Sequence, residues 1–178
     1  MAKIGLKYPA FATIGDVVET GTIGKAVTSN LNITVSDVKL FGDDGVAESD
    51  RGFQSGTIEL TTTDLSTEVQ GTLLGHEVTE GKLVAKASDL PPYVKFGFYA
   101  MKQVNNVRSW RAIILHKVQF GEPSDENTTK GETVAFGTPS ITGTILTDDN
   151  GAWKTEQTFE TESEARTFVN TELGITEE

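Results

Sequence analysis

The stretch from Val107 to Leu146 constrains the fold most, because it joins two β-type runs through a polar connection. The first run, Ala112 to Phe120, is rich in β-branched and aromatic residues. The connection, Gly121 to Gly131, contains Pro, Ser, Asp and Asn residues, and the second run extends from Glu132 to Leu146. Runs bounded by such clusters are typical of strands. The stretch therefore predicts two long strands joined by a loop.

Alternation of apolar and polar residues predicts further strands over residues 25–35, 57–63, 82–87, 94–104 and 153–159. The clearest case is residues 25–35, where the period of two separates an apolar face from an uncharged polar face. The apolar face carries Val27, Leu31, Ile33 and Val35, and the polar face carries Thr28, Asn30, Asn32 and Thr34. Asn105 and Asn106 tolerate positive φ and predict a tight hairpin turn.

Two helices are predicted from their capping residues and apolar spacing. The first runs from Asp64 to Gly75, with Asp64 as the expected N-cap. The second runs over residues 162–173, where Thr161 and Glu164 match a capping box. Its apolar stripe consists of Ala165, Phe168, Val169 and Leu173. In the strand predicted from residues 132–146, the apolar positions change phase, which indicates a bulge at residues 137–139.

Two segments lack any period. Residues 1–24 hold short apolar pieces broken by glycine and proline, and we interpret them as a loose N-terminal arm. Lys3 and Lys7 are the only charges before Asp16, so this arm is basic on an acidic chain. Residues 36–55 are interpreted as a long loop, and a loop of this length is uncommon unless it is functional.

Composition narrows the functional classes. The 178 residues fit a single domain, residues 1–178, and their formal net charge of −11 disfavours binding to nucleic acid or to an anionic membrane. With no cysteine, disulfides and thiolate chemistry are excluded. No apolar run approaches the ~20 residues that span a bilayer, and the N-terminus lacks the apolar region of a signal peptide. We therefore expect synthesis in a cytoplasm.

No catalytic, cofactor or metal site is predicted. Asp43-Asp44 and Asp148-Asp149-Asn150 lack the spacing of a calcium loop, and turn chemistry explains them better. His116 shares parity with apolar strand residues, which favours a core or interface position. Acid pairs for glycoside chemistry remain possible, because their geometry is three-dimensional. The aromatic residues Tyr99, Trp110 and Trp153 are expected to pack rather than to form a sugar platform.

Several segments carry a family resemblance: AKIGLKYPAFA, VAESDRG, HKVQFGEPSDENTTKGETVAFGTPSITGTI and FETESEARTFVNTEL. Together they resemble the major tail (tail-tube) proteins of long, non-contractile-tailed bacteriophages of Gram-positive hosts. The resemblance implies a mainly β fold: a β-sandwich or barrel flanked by a helix, with an N-terminal arm and a long loop. It also implies that six copies form a ring and that rings stack into a virion tail tube. Four strands of each subunit would line the DNA channel.

The resemblance implies no catalytic residue and no cofactor. Contacts that build the tube are expected from the arm and the long loop, and inter-subunit contacts are predicted at Leu40, Phe41, Asp50, Arg51 and Phe53. Lumen-facing positions are predicted at Thr28, Asn30, Asn32, Thr34, Glu59 and Thr61, with Ser140, Thr142 and Thr144 extending the surface. The expected partners are further copies of the chain and tape-measure, tail-tip and tail-terminator proteins. DNA would pass through without specific binding, and no membrane is involved.

A monomeric β-sandwich binding module, of the adhesin or carbohydrate-binding type, is the alternative. A cell-surface adhesin would normally carry a signal peptide, and a sugar binder needs a concave aromatic platform. The two hypotheses predict different sizes, since a tube protein forms rings or polymers whereas a binding module stays monomeric.

Overall fold

The computed structural model describes residues 2–42, 45–124 and 137–176, without the side chains of residues 2–4, 38, 40–42 and 45–50. Within these residues the chain is mainly β, as predicted, with two short helices. Its elements are β1 (Ala2–Thr13), β2 (Thr20–Thr22), β3 (Ala26–Gly42), β4 (Gly45–Thr62), α1 (Thr67–Leu74), β5 (Glu77–Thr79), β6 (Lys82–Val84), β7 (Tyr93–Val104), β8 (Val107–Phe120), β9 (Ser140–Leu146), β10 (Lys154–Phe159) and α2 (Glu162–Leu173).

One antiparallel sheet contains all of these strands except β5 and β6, which form a separate hairpin. Its order is β2-β1-β7-β8-β9-β4-β3. Two strands pair with the same edge of β8: β10 pairs with residues Trp110 to Leu115, and β9 pairs with residues Lys117 to Phe120. Strands β1 and β3 stand far apart in this order, yet they contact each other. The sheet is therefore strongly curved and encloses a core.

The hairpin of β7 and β8 forms the centre of the sheet. Asn105 and Asn106 connect the two strands with φ values of 49° and 63°, which confirms the predicted two-residue turn. On the inner face of the hairpin, Phe96 meets Phe120 edge-on, with ring centroids 5.7 Å apart. This inner core also contains Ile58 and Ile145 from the other limb of the sheet. Helix α1 contributes Leu65, Leu73 and Leu74 to it from the helix and its approach.

Helix α2 covers the opposite face of the same hairpin. Its buried residues Ala165, Val169 and Leu173 form a second core with alanines of β1, Tyr99 of β7, and Ala112 and Ile114 of β8. A Cβ added at Gly97 would lie 2.7 Å from Ile114 Cδ1 and 3.0 Å from Val169 Cγ1, so glycine there allows the close approach of the helix. The predicted span, the capping box of Thr161 and Glu164, and the end at Gly174 are all confirmed.

The first helix begins later than predicted. Ser66, not Asp64, is the N-cap, because the Ser66 hydroxyl accepts a hydrogen bond from the backbone N–H of Val69. The Asp64 carbonyl instead accepts one from the Thr62 hydroxyl at 3.0 Å. The helix ends as predicted at Gly75, which has φ 74°. The interior Gly71 is required by packing, since a Cβ there would lie 2.4 Å from Val78 Cγ2.

The interpretation of residues 1–24 as a loose arm is wrong for most of its length. Residues 2–13 form β1, which pairs along β7 and supplies the partner that the β7 edge would otherwise lack. The strand is bulged between Lys7 and Ala10, and Tyr8 has a positive φ of 57°. The Tyr8 hydroxyl donates to Asn170 Oδ1 on α2 at 2.8 Å. The bulge hides the alternation that would have indicated a strand.

The interpretation of residues 36–55 as a loop is also wrong. The described part of this segment continues β3 and β4 as a hairpin, with Ser36 opposite Gly52 and Asp37 opposite Arg51. Val35, at the start of the segment, is 56% exposed. Along residues 34–37 and 51–55, exposed and half-buried side chains do not alternate, so the sequence carries no strand period there. The strands predicted over residues 25–35 and 57–63 are both present, and they pair with each other from Ala26–Thr62 onward.

Other boundaries shift by a few residues. The strand predicted over residues 82–87 ends at Val84, and the one predicted from Trp153 begins at Lys154. In the run predicted from residues 132–146, the strand begins at Ser140, after the proposed bulge, and residues 132–136 lie outside the described residues. The inward positions of Ile141 and Ile145 are confirmed by their burial.

Leu173→Ala should lower the free energy of unfolding by about 2–5 kcal/mol, because it truncates a buried leucine between α2 and the sheet. Thr167→Ala, on the exposed side of the same helix, is the matched control and should change stability by less than about 0.5 kcal/mol. Urea unfolding followed by tryptophan fluorescence measures both. Equal midpoints for the two variants would contradict the packing of α2.

Candidate functional site

The outer face of the sheet segment formed by β9, β4 and β3 is the most distinctive polar surface of the fold. Alternate residues of β4 and β9 point into the inner core, and Ile58, Leu60 and Ile141 are almost fully buried. The residues between them consequently face outward. Glu59 and Thr142 are exposed, in line with that alternation. We call this surface the polar face.

The structure brings the predicted lumen-facing residues together on the polar face. The residues Thr28, Asn30, Asn32, Thr34 and Glu59 are exposed, and Thr61 is half-buried. They align in cross-strand rows with residues of β9. The rows are Thr28–Thr61–Ser140, Asn30–Glu59–Thr142 and Asn32–Thr57–Thr144, and Thr34 stands opposite Ser55. Adjacent strands lie about 4.8 Å apart, so each row is continuous.

Two members of the surface were missed by sequence reasoning. Thr57 stands two residues before Glu59, so strand parity alone could have identified it. Gln119 lies opposite Thr144 and extends that row onto β8. Its side-chain amide donates to the carbonyl of Pro91 at 2.9 Å. The place of Gln119 in the row depends on the β8–β9 pairing, which local periodicity does not report.

Nearly all side chains of the polar face are neutral hydroxyls or amides. Among the residues of its three cross-strand rows, Glu59 is the one that carries a charge. The Ser140 hydroxyl donates to Glu59 Oε1 over 3.4 Å, a long contact in an exposed position. These rows therefore offer many weak hydrogen-bonding groups and hold no cation themselves. Cations lie beside them: Lys117 stands opposite Leu146, two residues after Thr144, and Lys102 and Arg111 line a cavity together with Asn30 and Glu59.

Beyond the polar face, β3 and β4 continue as a two-stranded ribbon. The last pair between β4 and β9 is Gly56 with Ile145. Residues 34–42 and 45–55 extend past that pair, and among the described residues no third strand pairs with them. We call these residues the ribbon. Arg51 and Lys39 both contact Asp37 of the same ribbon, at 3.2 and 3.4 Å.

The predicted assembly residues all lie on the ribbon. The side chains of Leu40, Phe41 and Asp50 lie outside the described residues, although their backbones pair across the ribbon. Phe53 is half-buried and stacks on Trp153 of its own chain, with ring centroids 4.7 Å apart and planes 10° apart. This stack anchors the base of the ribbon to the segment that leads into β10.

Thr155, His116 and Asp148 stand in the order of a nucleophilic triad. Thr155 Oγ1 lies 2.7 Å from His116 Nε2, and His116 Nδ1 lies 3.2 Å from Asp148 Oδ2. The other oxygen of Asp148 accepts the backbone N–H groups of Ala152 and Asn150, which hold the pKa of this carboxyl below its ordinary value. The backbone bonds to Asp148 confirm that this aspartate stabilises a turn, as predicted. Its contact with His116 ties that turn to β8.

A cavity of about 890 Å³ opens where the curved sheet ends near the β7–β8 turn. Leu6, Phe98 and Ile113 line its apolar part. Arg111 and Glu156 stand in its wall as an ion pair, and this pair holds the pKa of Glu156 at about 2. None of the triad-like residues lines this cavity, so their hydroxyl has no substrate pocket there.

Neither a metal site nor a membrane-spanning helix is found among the described residues. Among the described residues, no group of three or more His, Cys, Asp or Glu side chains could hold a metal ion. In the same part of the chain, neither helix is long and apolar enough to cross a bilayer. The polar face and the ribbon therefore remain the candidate functional surfaces.

Phe53→Ala should loosen the base of the ribbon, because it removes the ring that stacks on Trp153. An aromatic pair contributes about 0.5–1.5 kcal/mol beyond its burial, so amide exchange at residues 34–37 and 51–55 should accelerate roughly tenfold. Gln54→Ala, at the exposed neighbouring position, is the control and should leave exchange unchanged. Hydrogen exchange with mass spectrometry measures both. Equal protection in the two variants would mean that the stack does not hold the ribbon.

No protein-family model matches this chain, and a search of the curated proteins finds no match. The functions of the polar face and the ribbon are therefore inferred from their geometry, their charge and the resemblance described above.

Proposed function

We propose that this chain is a tail-tube subunit that polymerises as stacked hexameric rings into the tail of a bacteriophage virion. The observation that carries the proposal is the sheet segment of β9, β4 and β3. It combines an inward apolar face, an outward neutral polar face and strands that run on past the sheet as a ribbon. The resemblance of HKVQFGEPSDENTTKGETVAFGTPSITGTI to tail-tube proteins supports the same function.

The ribbon supports assembly because few of its described contacts stabilise it beyond the Phe53–Trp153 stack at its base. An isolated two-stranded hairpin is marginally stable in water. Ordering the ~20 residues of the ribbon costs about 1–2 kcal/mol of backbone conformational entropy per residue. Its described ion pairs are exposed, and such pairs contribute about 0–1 kcal/mol each. A neighbouring copy would supply further apolar contacts and an additional strand edge. Ordering of the ribbon would then accompany polymerisation.

The polar face supports a channel lining. A wall that conducts DNA must not hold phosphates, because each cation on it would add a contact that is repeated in every subunit. The rows of threonine and asparagine offer neutral groups, and Glu59 repels phosphate. The acidic net charge of the chain acts in the same direction. In the proposed assembly, these rows from successive subunits form the lumen.

The remaining assignments follow from this proposal. The protein would act in the virion tail after assembly in the cytoplasm of the bacterial host. Its partners would be further copies of itself and tape-measure, tail-tip and tail-terminator proteins. The alternative of a sugar-binding module receives no support from the aromatic residues. Tyr99 and Trp110 pack on the α2 side of the sheet, whereas Trp153 packs against the inner core.

Replacing residues 37–51 by Asn-Gly should abolish tube formation while preserving the fold. Ser36 and Gly52 already stand opposite each other, so a two-residue turn can join them. The native chain should form rings or tubes in negative-stain images, alone above a threshold concentration or with tail-tip complexes as initiators. The shortened chain should sediment as a monomer, with the circular dichroism spectrum of a folded β protein and a cooperative thermal unfolding transition.

Tubes formed by the shortened chain would contradict the role of the ribbon in assembly. A native chain that sediments as a monomer at every concentration, even with tail-tip complexes present, would contradict the tail-tube proposal. That second result would favour the monomeric binding module.

Glu59→Arg should slow DNA ejection, and more strongly at low salt, because it places a repeated ring of cations on the polar face. Glu59→Gln is the matched control, since it removes the charge without adding a cation. Phage particles that carry either variant can be compared by the rate at which DNA leaves the capsid. Equal rates for both variants at low salt would show that Glu59 does not face the channel.

A further inference from the structure

We propose that His76, Asp89 and Glu122 form a pH-sensitive clamp, closed when the imidazole carries both protons, that fixes the segment after β8 to the end of α1. His76 follows the α1 cap, Asp89 lies before β7, and Glu122 lies just after β8. His76 Nδ1 is 2.7 Å from Asp89 Oδ2, and His76 Nε2 is 2.6 Å from Glu122 Oε1. One ring therefore bridges three segments.

The number of protons on the ring decides whether both contacts can exist. A neutral imidazole has one N–H and one lone pair, whereas the imidazolium has two N–H groups. A carboxylate is an acceptor only. The two short contacts of His76 are therefore both favourable only in the doubly protonated ring. When the ring loses a proton, a lone pair faces one of the two carboxylates, and that contact becomes repulsive.

The two carboxylates are not equivalent, and the difference predicts which contact opens. The side chain of Asp89 is 15% exposed, and its Oδ2 also accepts the backbone N–H of Lys86 at 2.8 Å. The side chain of Glu122 is 69% exposed, so it can turn into water at little cost. The remaining proton should therefore stay on Nδ1, toward Asp89. Glu122 is the partner that leaves.

Opening the clamp would release a segment that borders the polar face. The backbone N–H of Gly121 donates to the carbonyl of Thr142 at 2.9 Å, and Ser124 forms a β-bridge with Ser140. Both partners belong to β9 and to the rows of the polar face. The clamp thus ties the C-terminal end of α1 to the edge of that face. This inference concerns the isolated chain and holds whether or not the chain builds a tube.

The charges around the ring favour its protonated form. The hydrogen bond to Asp89, followed by the hydrogen bond and charge of Glu122, raises the pKa of His76 above 6.5. Desolvation opposes this shift, because the side chain is 94% buried from solvent. Among the described residues, Lys86 faces Asp89 and is itself paired with Glu77. Because the folded pKa is raised, the clamp stabilises the chain fully below pH 6.5 and is lost as pH rises through that folded pKa.

The test follows the ring nitrogens of His76 and the amides of Gly121 and Ser124 by NMR across pH, in the full-length chain. Glu122→Gln removes the exposed carboxylate, and Glu77→Gln removes a similarly exposed one that does not touch His76. In the native chain, His76 should titrate above 6.5, and both amides should shift with the same midpoint. In Glu122→Gln, the midpoint should fall and the amide shifts should disappear. Glu77→Gln should behave like the native chain.

Thermal unfolding provides a second readout. The native chain should unfold at a higher temperature than Glu122→Gln near pH 6, and the difference should vanish once His76 is neutral. A His76 midpoint at or below 6.5 would overturn the proposal. The proposal would also be overturned if the amide chemical shifts of Gly121 and Ser124 did not change as His76 titrates. A difference in unfolding temperature that is independent of pH would overturn it as well.

Discussion

The structure depends on the β7–β8 hairpin, which buries both of its faces. The inner face carries the large residues Phe96, Phe98 and Leu115, whose apolar area supports the curved sheet. The outer face carries Gly97 and Ala112, which leave room for α2. The outer face also carries Tyr99 and Ile114 in the α2-side core, so the hairpin serves two cores, with small residues only where the helix approaches closely. Each of the other large elements packs on this hairpin or on a strand that pairs with it.

The edge of β8 that β10 and β9 share determines where the sheet branches. Because β10 occupies the first part of that edge and β9 the second, the segment of β9, β4 and β3 is free to curve away. Its inner side completes the core, and its outer side stays polar. The Phe53–Trp153 stack then connects the start of the ribbon to the β10 side of the division. The same branching therefore positions both surfaces to which we assign a function.

The chain uses its two histidines in different ways. His116 contacts one carboxylate and one hydroxyl, and it secures a turn whose aspartate is already held by backbone N–H groups. His76 contacts two carboxylates from different segments, one before β7 and one after β8. Ion pairs such as Lys7–Glu162 and Lys86–Glu77 are exposed on both sides and contribute little. In the proposed clamp, one proton on the ring of His76 decides whether both contacts are favourable.

Local sequence patterns determined the elements that have one buried face or a strong end signal. The capping box of Thr161 and Glu164 identified α2, the Asn105-Asn106 pair identified the central turn, and alternation in residues 57–63 identified the polar side of β4. These signals act over a few residues, so they are readable without the fold. The resemblance to tail-tube proteins was also read from the sequence, and it remains the source of the proposed ring and tube.

Only the tertiary structure decided the rest. Residues 2–13 form a strand because they pair along the edge of β7, and the bulge in this strand hides the alternation. The ribbon is a hairpin that extends past the sheet, and its described side chains show no alternating burial. The contacts of His76 with Asp89 and Glu122 span 13 and 46 residues. Such contacts depend on the tertiary fold, which brings distant segments of the chain together. A local period reports which side of an element is buried, but it does not report which distant segment covers that side.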